Sequence, residues 1–123
     1  MGKTVLIVDD SNTMRKIVSR ALRQAGIDFS EILEAGDGQE ALDVLANNKV
    51  DVVLSDINMP NMTGLEFLKA KSEDDSIKDI PVIMISTETG ADIIDQAKAL
   101  GAKGAVKKPF TPDLINETLG PLL

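Results

Sequence analysis

Short apolar runs rich in valine and isoleucine alternate along the chain with longer segments in which apolar residues recur at helical spacing. The runs predict five β-strands, at residues 4–8, 31–35, 51–55, 81–86 and, more weakly, 104–107. Apolar runs without polar alternation are typical of parallel strands that are buried on both faces. We therefore expect a parallel sheet with a layer of helices on each side.

The segments between the strands predict five helices. The first carries an apolar stripe that includes Met14 and Ile17 and ends at Gly26. The last is expected to begin with Thr111 as its N-cap and Pro112 as its first residue, and to end at Gly120. The stripes of the other three are Ala41, Leu42 and Leu45; Leu65 and Leu68; and Ile93, Ile94, Ala97 and Leu100.

Five βα units with short connections predict right-handed crossovers and a doubly wound α/β fold, in one domain that spans residues 1–123. In the flavodoxin-like strand order, 2-1-3-4-5, the first and third strands are neighbours. Ligands of such open sheets bind at the carboxyl ends of the strands. The loops that follow the strands are therefore where we expect function.

The amino-acid composition excludes several kinds of catalytic and metal site. The chain has 123 residues, no cysteine and no histidine, which excludes Cys/His zinc sites and Cys/His or Ser/His/Asp nucleophiles. A net charge of −7 disfavours nucleic acid and anionic membranes as partners, and favours a basic or amphipathic protein or a divalent cation. No apolar run is long enough to cross a bilayer, and no secretory signal is seen at the N-terminus, so we expect a cytoplasmic protein.

Polar residues follow the predicted strands at one edge of the sheet. Asp9 and Asp10 follow the first strand, and Asp56 follows the third. Three carboxylates in one crevice repel each other unless a cation binds, and Mg²⁺ prefers oxygen ligands of this kind. Ser86 ends the fourth strand and Lys108 follows the fifth, where both could contact a phosphoryl group that a carboxylate accepts.

Each of these residues also has a simpler explanation. Asp10 or Ser11 could cap the first helix, and Ser86 and Thr87 could cap the fourth. Asp56 could be a solvated turn residue, and Lys108 a surface charge. Taken singly, the simpler explanations are favoured; taken together they are not, because all the polar groups fall at the same end of the sheet.

The chain resembles the receiver domain of two-component response regulators over nearly its whole length. The resemblance rests on the acidic pair Asp9 and Asp10 and on residues 56–60 with Gly64, 81–86 and 108–110. Residues 11–18, and the absence of an output domain, look most like the single-domain chemotaxis regulators of the CheY type.

The resemblance implies a role for each matching residue. Asp56 is the expected phospho-acceptor, with Asp9, Asp10 and the main-chain carbonyl of Asn58 as the remaining Mg²⁺ ligands. Ser86 is the expected switch hydroxyl, and Lys108 the phosphate-contacting lysine, with a cis peptide before Pro109. Thr87 belongs to the loop expected to move, and Glu88 and Asn58 are similar to positions that tune reaction rates. The family often has an aromatic switch residue where this chain has Ala105.

The implied function is a signalling switch that a sensor histidine kinase phosphorylates on Asp56. Its expected partners are a chemotaxis kinase, a downstream target such as a flagellar motor switch component, and a phosphatase, and we expect a monomer. Three alternatives remain open. One is a stand-alone receiver that serves a phosphorelay other than chemotaxis, and the other two belong to different functional classes. A haloacid-dehalogenase-like phosphatase would need an acidic residue at position 58, which is Asn58 in this chain. A flavin-binding module would need Trp or Tyr to stack on the flavin ring, and the chain has neither.

Overall fold

The computed structural model describes residues 3–27, 29–57, 61–86, 91–107 and 112–119. Five strands and five helices alternate along the chain, as predicted. In order they are β1 (Lys3–Val8), α1 (Asn12–Gln24), β2 (Phe29–Ala35), α2 (Gly38–Asn47), β3 (Val52–Asp56), α3 (Gly64–Ser72), β4 (Val82–Ser86), α4 (Ala91–Ala99), β5 (Gly104–Lys107) and α5 (Pro112–Leu119). The predicted fold class is confirmed.

The strands form one parallel sheet in the order β2-β1-β3-β4-β5, so the predicted order is also confirmed. At the amino-terminal edge, Asp51 fixes the register of β3 against β1. Its carboxylate accepts a 2.8 Å hydrogen bond from the amide of Thr4, and its own amide donates to the Thr4 carbonyl over 2.9 Å. This reciprocal pair aligns Val8 with Ser55, so that β1 and β3 end side by side.

Side chains alternate along the strands between two separate cores, one on each face of the sheet. On one face, Val5 and Ile7 of β1 pack with α1 and α5 through residues such as Leu22 and Leu119. On the other, Leu6 and Val8 belong to the core that includes Phe67 of α3. Burial in two layers is the reason that the central strands have no polar alternation.

Two expectations about burial were wrong. The strand β2 is not buried on both faces, because it lies at the edge of the sheet and six of its seven residues are exposed or half-buried. In α1, Ile17 faces away from the core and is 48% exposed, although its spacing placed it in the apolar stripe. An edge position and a one-sided helix both leave apolar residues at the surface, which periodicity alone does not reveal.

The described helix starts are capped by side chains. Ser11 accepts a hydrogen bond from the amide of Met14 at the start of α1, over 3.2 Å. Thr63 and Glu66 form a reciprocal capping box at the start of α3. Because Ser11 caps α1, capping does not account for Asp10. Thr111, the expected cap of α5, lies outside the described residues. Within the part of the chain that is described, none of the helices has the length and apolarity needed to span a bilayer.

Candidate functional site

Three carboxylates meet at the carboxyl edge of the sheet. Asp9 and Asp10 follow β1, and Asp56 is the last residue of the neighbouring β3, one residue later than the strand was expected to end. One carboxylate oxygen from each residue lies within 4.8 Å of the other two. The predicted convergence of these acids is therefore present in the structure.

The three acids differ in their exposure to solvent. Asp9 is buried, with 4% of its surface exposed, Asp56 is half-buried and Asp10 is exposed. The repulsion between carboxylates this close grows as water is excluded, and a cation bound among them would relieve it. Oxygens around a bound Mg²⁺ are at most about 4 Å apart, because each lies about 2.1 Å from the ion. The observed limit of 4.8 Å is slightly wider than this, so the all-oxygen cluster fits a small divalent ion that keeps some of its water and binds one of the acids through it.

The backbone of Asp9 is held from both neighbouring elements. Its amide donates a 3.1 Å hydrogen bond to the carbonyl of Ala35 at the end of β2. Its carboxylate accepts from the amide of Ser11 over 2.9 Å, and its carbonyl accepts from the guanidinium of Arg15 over 2.5 Å. The most buried acid of the cluster is therefore also fixed in place by hydrogen bonds.

Asp56 is positioned by its own loop. Its Oδ1 accepts a 2.8 Å hydrogen bond from the amide of Ile57, and its carbonyl accepts from the buried Ser55 hydroxyl over 2.9 Å. The amide of Gly64, at the start of α3, donates to the Ile57 carbonyl over 2.7 Å. The first residue of α3 is therefore hydrogen-bonded to the residue that follows Asp56, which places the start of α3 against the end of β3.

A second contact supports the loop that follows β3. Asp37, the N-cap of α2, accepts hydrogen bonds from the amide of Glu40 over 2.9 Å and from the side-chain amide of Asn61 over 3.0 Å. The bond from Asn61, and then that from Glu40, hold the pKa of the Asp37 carboxyl below its usual value. Asn61 adopts a left-handed backbone conformation, with φ of 65°. The start of α2 thus anchors the far end of the loop.

The other predicted site residues are described in part or not at all. Ser86 is the last residue of β4 and pairs with Lys107, which puts its backbone at the same edge of the sheet as the acids. Ala105 lies on β5 opposite Met84 and is exposed. The Ser86 side chain lies outside the described part, as do Asn58, Thr87, Glu88, Lys108 and Pro109 with its predicted cis peptide.

Sequence reasoning gave no role to two residues that shape the site. Gly64 was noted only as part of a motif, and Arg15 only as part of the segment after the acidic pair. The glycine could have been suspected from its place a few residues beyond Asp56. Nothing in the sequence indicated which of the cations of α1 contacts Asp9, because that contact depends on the packing of α1 beside β2.

Comparison with known proteins agrees with this geometry. The sequence profile of the response regulator receiver domain matches residues 5–120. The chain belongs to the response regulator receiver family. Among its relatives, the receiver is 41% identical to the chemotaxis protein CheY of Pseudomonas aeruginosa over 94% of this chain and 91% of that protein. It is 44% identical to the chemotaxis protein CheY1 of Helicobacter pylori, with 94% and 92% of the two chains covered.

Solved structures confirm the resemblance of the fold. The receiver superposes on a structure of the chemotaxis protein CheY4 of Vibrio cholerae with a TM-score of 0.88, at 41% identity and with the whole of both chains covered. A response regulator from Chloroflexus aurantiacus gives a TM-score of 0.87 at 28% identity, over 99% and 98% of the two chains. These matches do not favour the phosphatase alternative.

Proposed function

We propose that this receiver is a phosphorylation-activated switch whose phospho-acceptor is Asp56 and whose cofactor is Mg²⁺. The observation that carries the proposal is the convergence of Asp9, Asp10 and Asp56, with oxygens within 4.8 Å of one another. The carboxylates of all three acids, and the main-chain carbonyl of Asn58, would hold the ion. When bound, Mg²⁺ would neutralise the cluster and the phosphoryl oxygens that approach it.

In the proposed reaction, a carboxylate oxygen of Asp56 attacks the phosphorus of the donor. The new oxygen–phosphorus bond forms as the bond between phosphorus and the donor's leaving group breaks, and the leaving group departs with that electron pair. The hydrogen bond from Ile57 to Oδ1 holds the carboxylate in one orientation for this attack. The Ser86 hydroxyl and the Lys108 ammonium would bind the transferred oxygens, and Glu88 and Asn58 would flank the entrance.

The product differs from the resting protein mainly in charge. An acyl phosphate adds a charge of about −1.5 to −2 to a surface that is already acidic. Such a change biases a surface that has two arrangements. The family's aromatic switch has no counterpart at the matching position of β5 in this receiver, because that position is Ala105. We propose that Ser86 and residues 87–90 carry the signal instead, and that the chain acts as a switch without turning over a separate substrate.

The biological setting follows from the relatives. Relatives that are 41% and 44% identical to it are named as chemotaxis proteins, so we propose that this receiver serves chemotaxis and the control of flagellar rotation. A chemotaxis histidine kinase would be the donor, a flagellar motor switch component the target, and a phosphatase a further partner. We also propose that residues 1–123 act as one monomeric receiver domain in the cytoplasm, without binding nucleic acid or membrane.

The test is incubation with acetyl phosphate and Mg²⁺, followed by intact-mass analysis. One phosphoryl group per chain is expected, and none in Asp56→Asn or after removal of the metal. Asp43→Asn is the matched control, because it removes an exposed acid of α2 that lies outside the cluster. Unmodified protein at all times after mixing, including rapid quenching, would contradict the proposal. Continuous release of phosphate, with no modified chain, would instead indicate a phosphatase.

A further inference from the structure

Arg15 makes three hydrogen bonds beside the acidic cluster. Its Nη1 donates to the main-chain carbonyl of Asp9, its Nε to Glu34 Oε1 over 3.0 Å, and its Nη2 to the side-chain oxygen of Asn12 over 3.3 Å. The side chain of Arg15 is only 17% exposed, whereas that of Glu34 is 47% exposed. The guanidinium therefore bridges α1, β2 and the segment that carries Asp9.

The geometry gives Arg15 a different environment from the other cations of its helix. Lys16 and Arg20 are exposed, and α1 has no acidic residue in its first turn. The guanidinium of Arg15 instead donates hydrogen bonds to a carbonyl, a carboxylate and an amide oxygen. The rigid planar guanidinium can reach all three acceptors at once, which a lysine ammonium cannot. The ion pair with Glu34 also holds the fork against the edge strand.

The contact with Asp9 matters because it is made to the peptide that joins the two acids of the cluster. The amide of Asp9 donates to Ala35 and its carboxylate accepts from Ser11, but neither group is part of the peptide between Asp9 and Asp10. The carbonyl of that peptide is the group that accepts from Arg15. Rotation of this peptide would move both acids relative to Asp56. Groups that orient metal ligands through hydrogen bonds commonly contribute about 10-fold or more to metal affinity.

We propose that Arg15 is a positioning residue for the metal site, holding the Asp9–Asp10 peptide so that both carboxylates face Asp56. The inference rests on the proposed Mg²⁺ site and adds to it a residue that touches neither the ion nor the phosphoryl group. Glu34 supports Arg15 from β2, which connects the edge strand to the metal site.

The positive charge of Arg15 and its positioning of the acids should have opposite effects on Mg²⁺ affinity, which makes the proposal testable. A cation beside three acids lowers their attraction for Mg²⁺, so loss of charge alone would strengthen binding. Loss of positioning would weaken it. Arg15→Ala removes both effects, Arg15→Lys keeps the charge and loses the fork, and Lys16→Ala removes the neighbouring charge and leaves the contacts with Asp9 intact.

The experiment is a Mg²⁺ titration of each full-length variant, followed through amide chemical shifts, without any phosphoryl donor. We expect affinity to fall about 10-fold in Arg15→Lys and by a smaller factor in Arg15→Ala, where loss of the positive charge offsets part of the loss of positioning. In Lys16→Ala the affinity should stay within about 2-fold of wild type. In the metal-free spectra, the amides of residues 9–11 should shift in both Arg15 variants and not in Lys16→Ala. If Arg15→Ala does not fold, Arg15→Lys decides the question alone.

Unchanged or tighter binding in the Arg15 variants would overturn the proposal, as would equal effects in Arg15→Ala and Lys16→Ala. These outcomes leave the metal site itself intact. A wild-type protein whose amides near Asp9, Asp10 and Asp56 do not respond to Mg²⁺ would instead overturn the metal site, and the role of Arg15 with it.

Discussion

Gly64 approaches the backbone of Asp56 so closely that no side chain fits between them. A Cβ atom at Gly64 would overlap the Asp56 carbonyl oxygen and would lie 2.9 Å from the Cα of Ile57 and 2.7 Å from the end of Met84. Two of these three neighbours are backbone atoms, one in the last residue of β3 and one in the residue that follows it. The start of α3 is therefore packed directly on the residues that position the proposed phospho-acceptor.

We expect Gly64→Ala to lower the free energy of unfolding by roughly 1–3 kcal/mol, because overpacking forces the backbone to move. The displacement should also slow phosphorylation by acetyl phosphate. Gly104→Ala is the matched control, since a Cβ there would meet its nearest neighbour at an ordinary 3.6 Å. Urea unfolding measures both variants, and equal stability of the two would contradict the packing argument.

Removal of one acid from the cluster should have opposite effects on stability and metal binding. Asp10→Asn removes one of three mutually repelling carboxylates, so the metal-free protein should be more stable by roughly 1 kcal/mol or more. The same change removes an expected ligand, and Mg²⁺ should then raise the melting temperature less than it does in wild type. Thermal melts with and without Mg²⁺ test both points. A metal-free variant less stable than wild type would show that the repulsion is unimportant.

Asp37 should contribute stability that disappears in acid. Asp37→Ala removes the N-cap of α2 and the bond to Asn61, at an expected cost of about 1 kcal/mol at pH 7. Because folding lowers the pKa of Asp37 below 3.8, the contribution of its charge is present above that pH and lost as pH falls through the folded-state pKa. Urea unfolding from pH 7 to pH 3 measures the loss. Asp37→Asn is the control, since it can cap the helix without titrating.

If the difference in stability between wild type and Asp37→Ala stays constant over that pH range, the Asp37 carboxylate is not the source of the pH dependence. Convergence of wild type and Asp37→Ala toward low pH is the expected result. Asp37→Asn should differ from wild type less than Asp37→Ala does at pH 7, because an asparagine oxygen still accepts from the amide of Glu40.

Lys71 should make stability rise with alkaline pH. Its ammonium is buried and donates a 2.9 Å hydrogen bond to the carbonyl of Lys78. Burial lowers the pKa of Lys71 from its usual 10.5, against the attraction of Asp79, which raises it. Between the folded-state pKa and 10.5, the unfolded chain binds more protons than the folded one, so the free energy of unfolding increases with pH.

Lys71→Met removes this titration, so wild type should gain stability relative to the variant as pH rises from neutral toward 10. Urea unfolding at several pH values is the measurement. Lys69→Met is the control, because it makes the same substitution at an exposed lysine of the same helix. A difference between wild type and Lys71→Met that does not change with pH would contradict the shift.

The sequence by itself determined the fold class, and its resemblance to receivers indicated which of the possible strand orders the sheet adopts. Apolar runs separated by amphipathic segments leave few arrangements other than a parallel sheet between two helical layers, because both faces of such strands must be covered. It also placed Asp9, Asp10 and Asp56 at one edge, since parallel strands end on the same side. The fold class and the shared edge of the acids are consequences of periodicity and chain direction, both of which can be read directly from the sequence.

Only the tertiary structure decided what surrounds those acids. The sequence gives no sign that Ile17 faces solvent while Val18 is buried, or that β2 rather than a central strand is exposed. It also could not assign Arg15 to the Asp9 carbonyl or Gly64 to the Asp56 backbone. Such contacts depend on how each helix is rotated and placed against the sheet, and that arrangement is fixed by the packing of the whole core rather than by any local pattern.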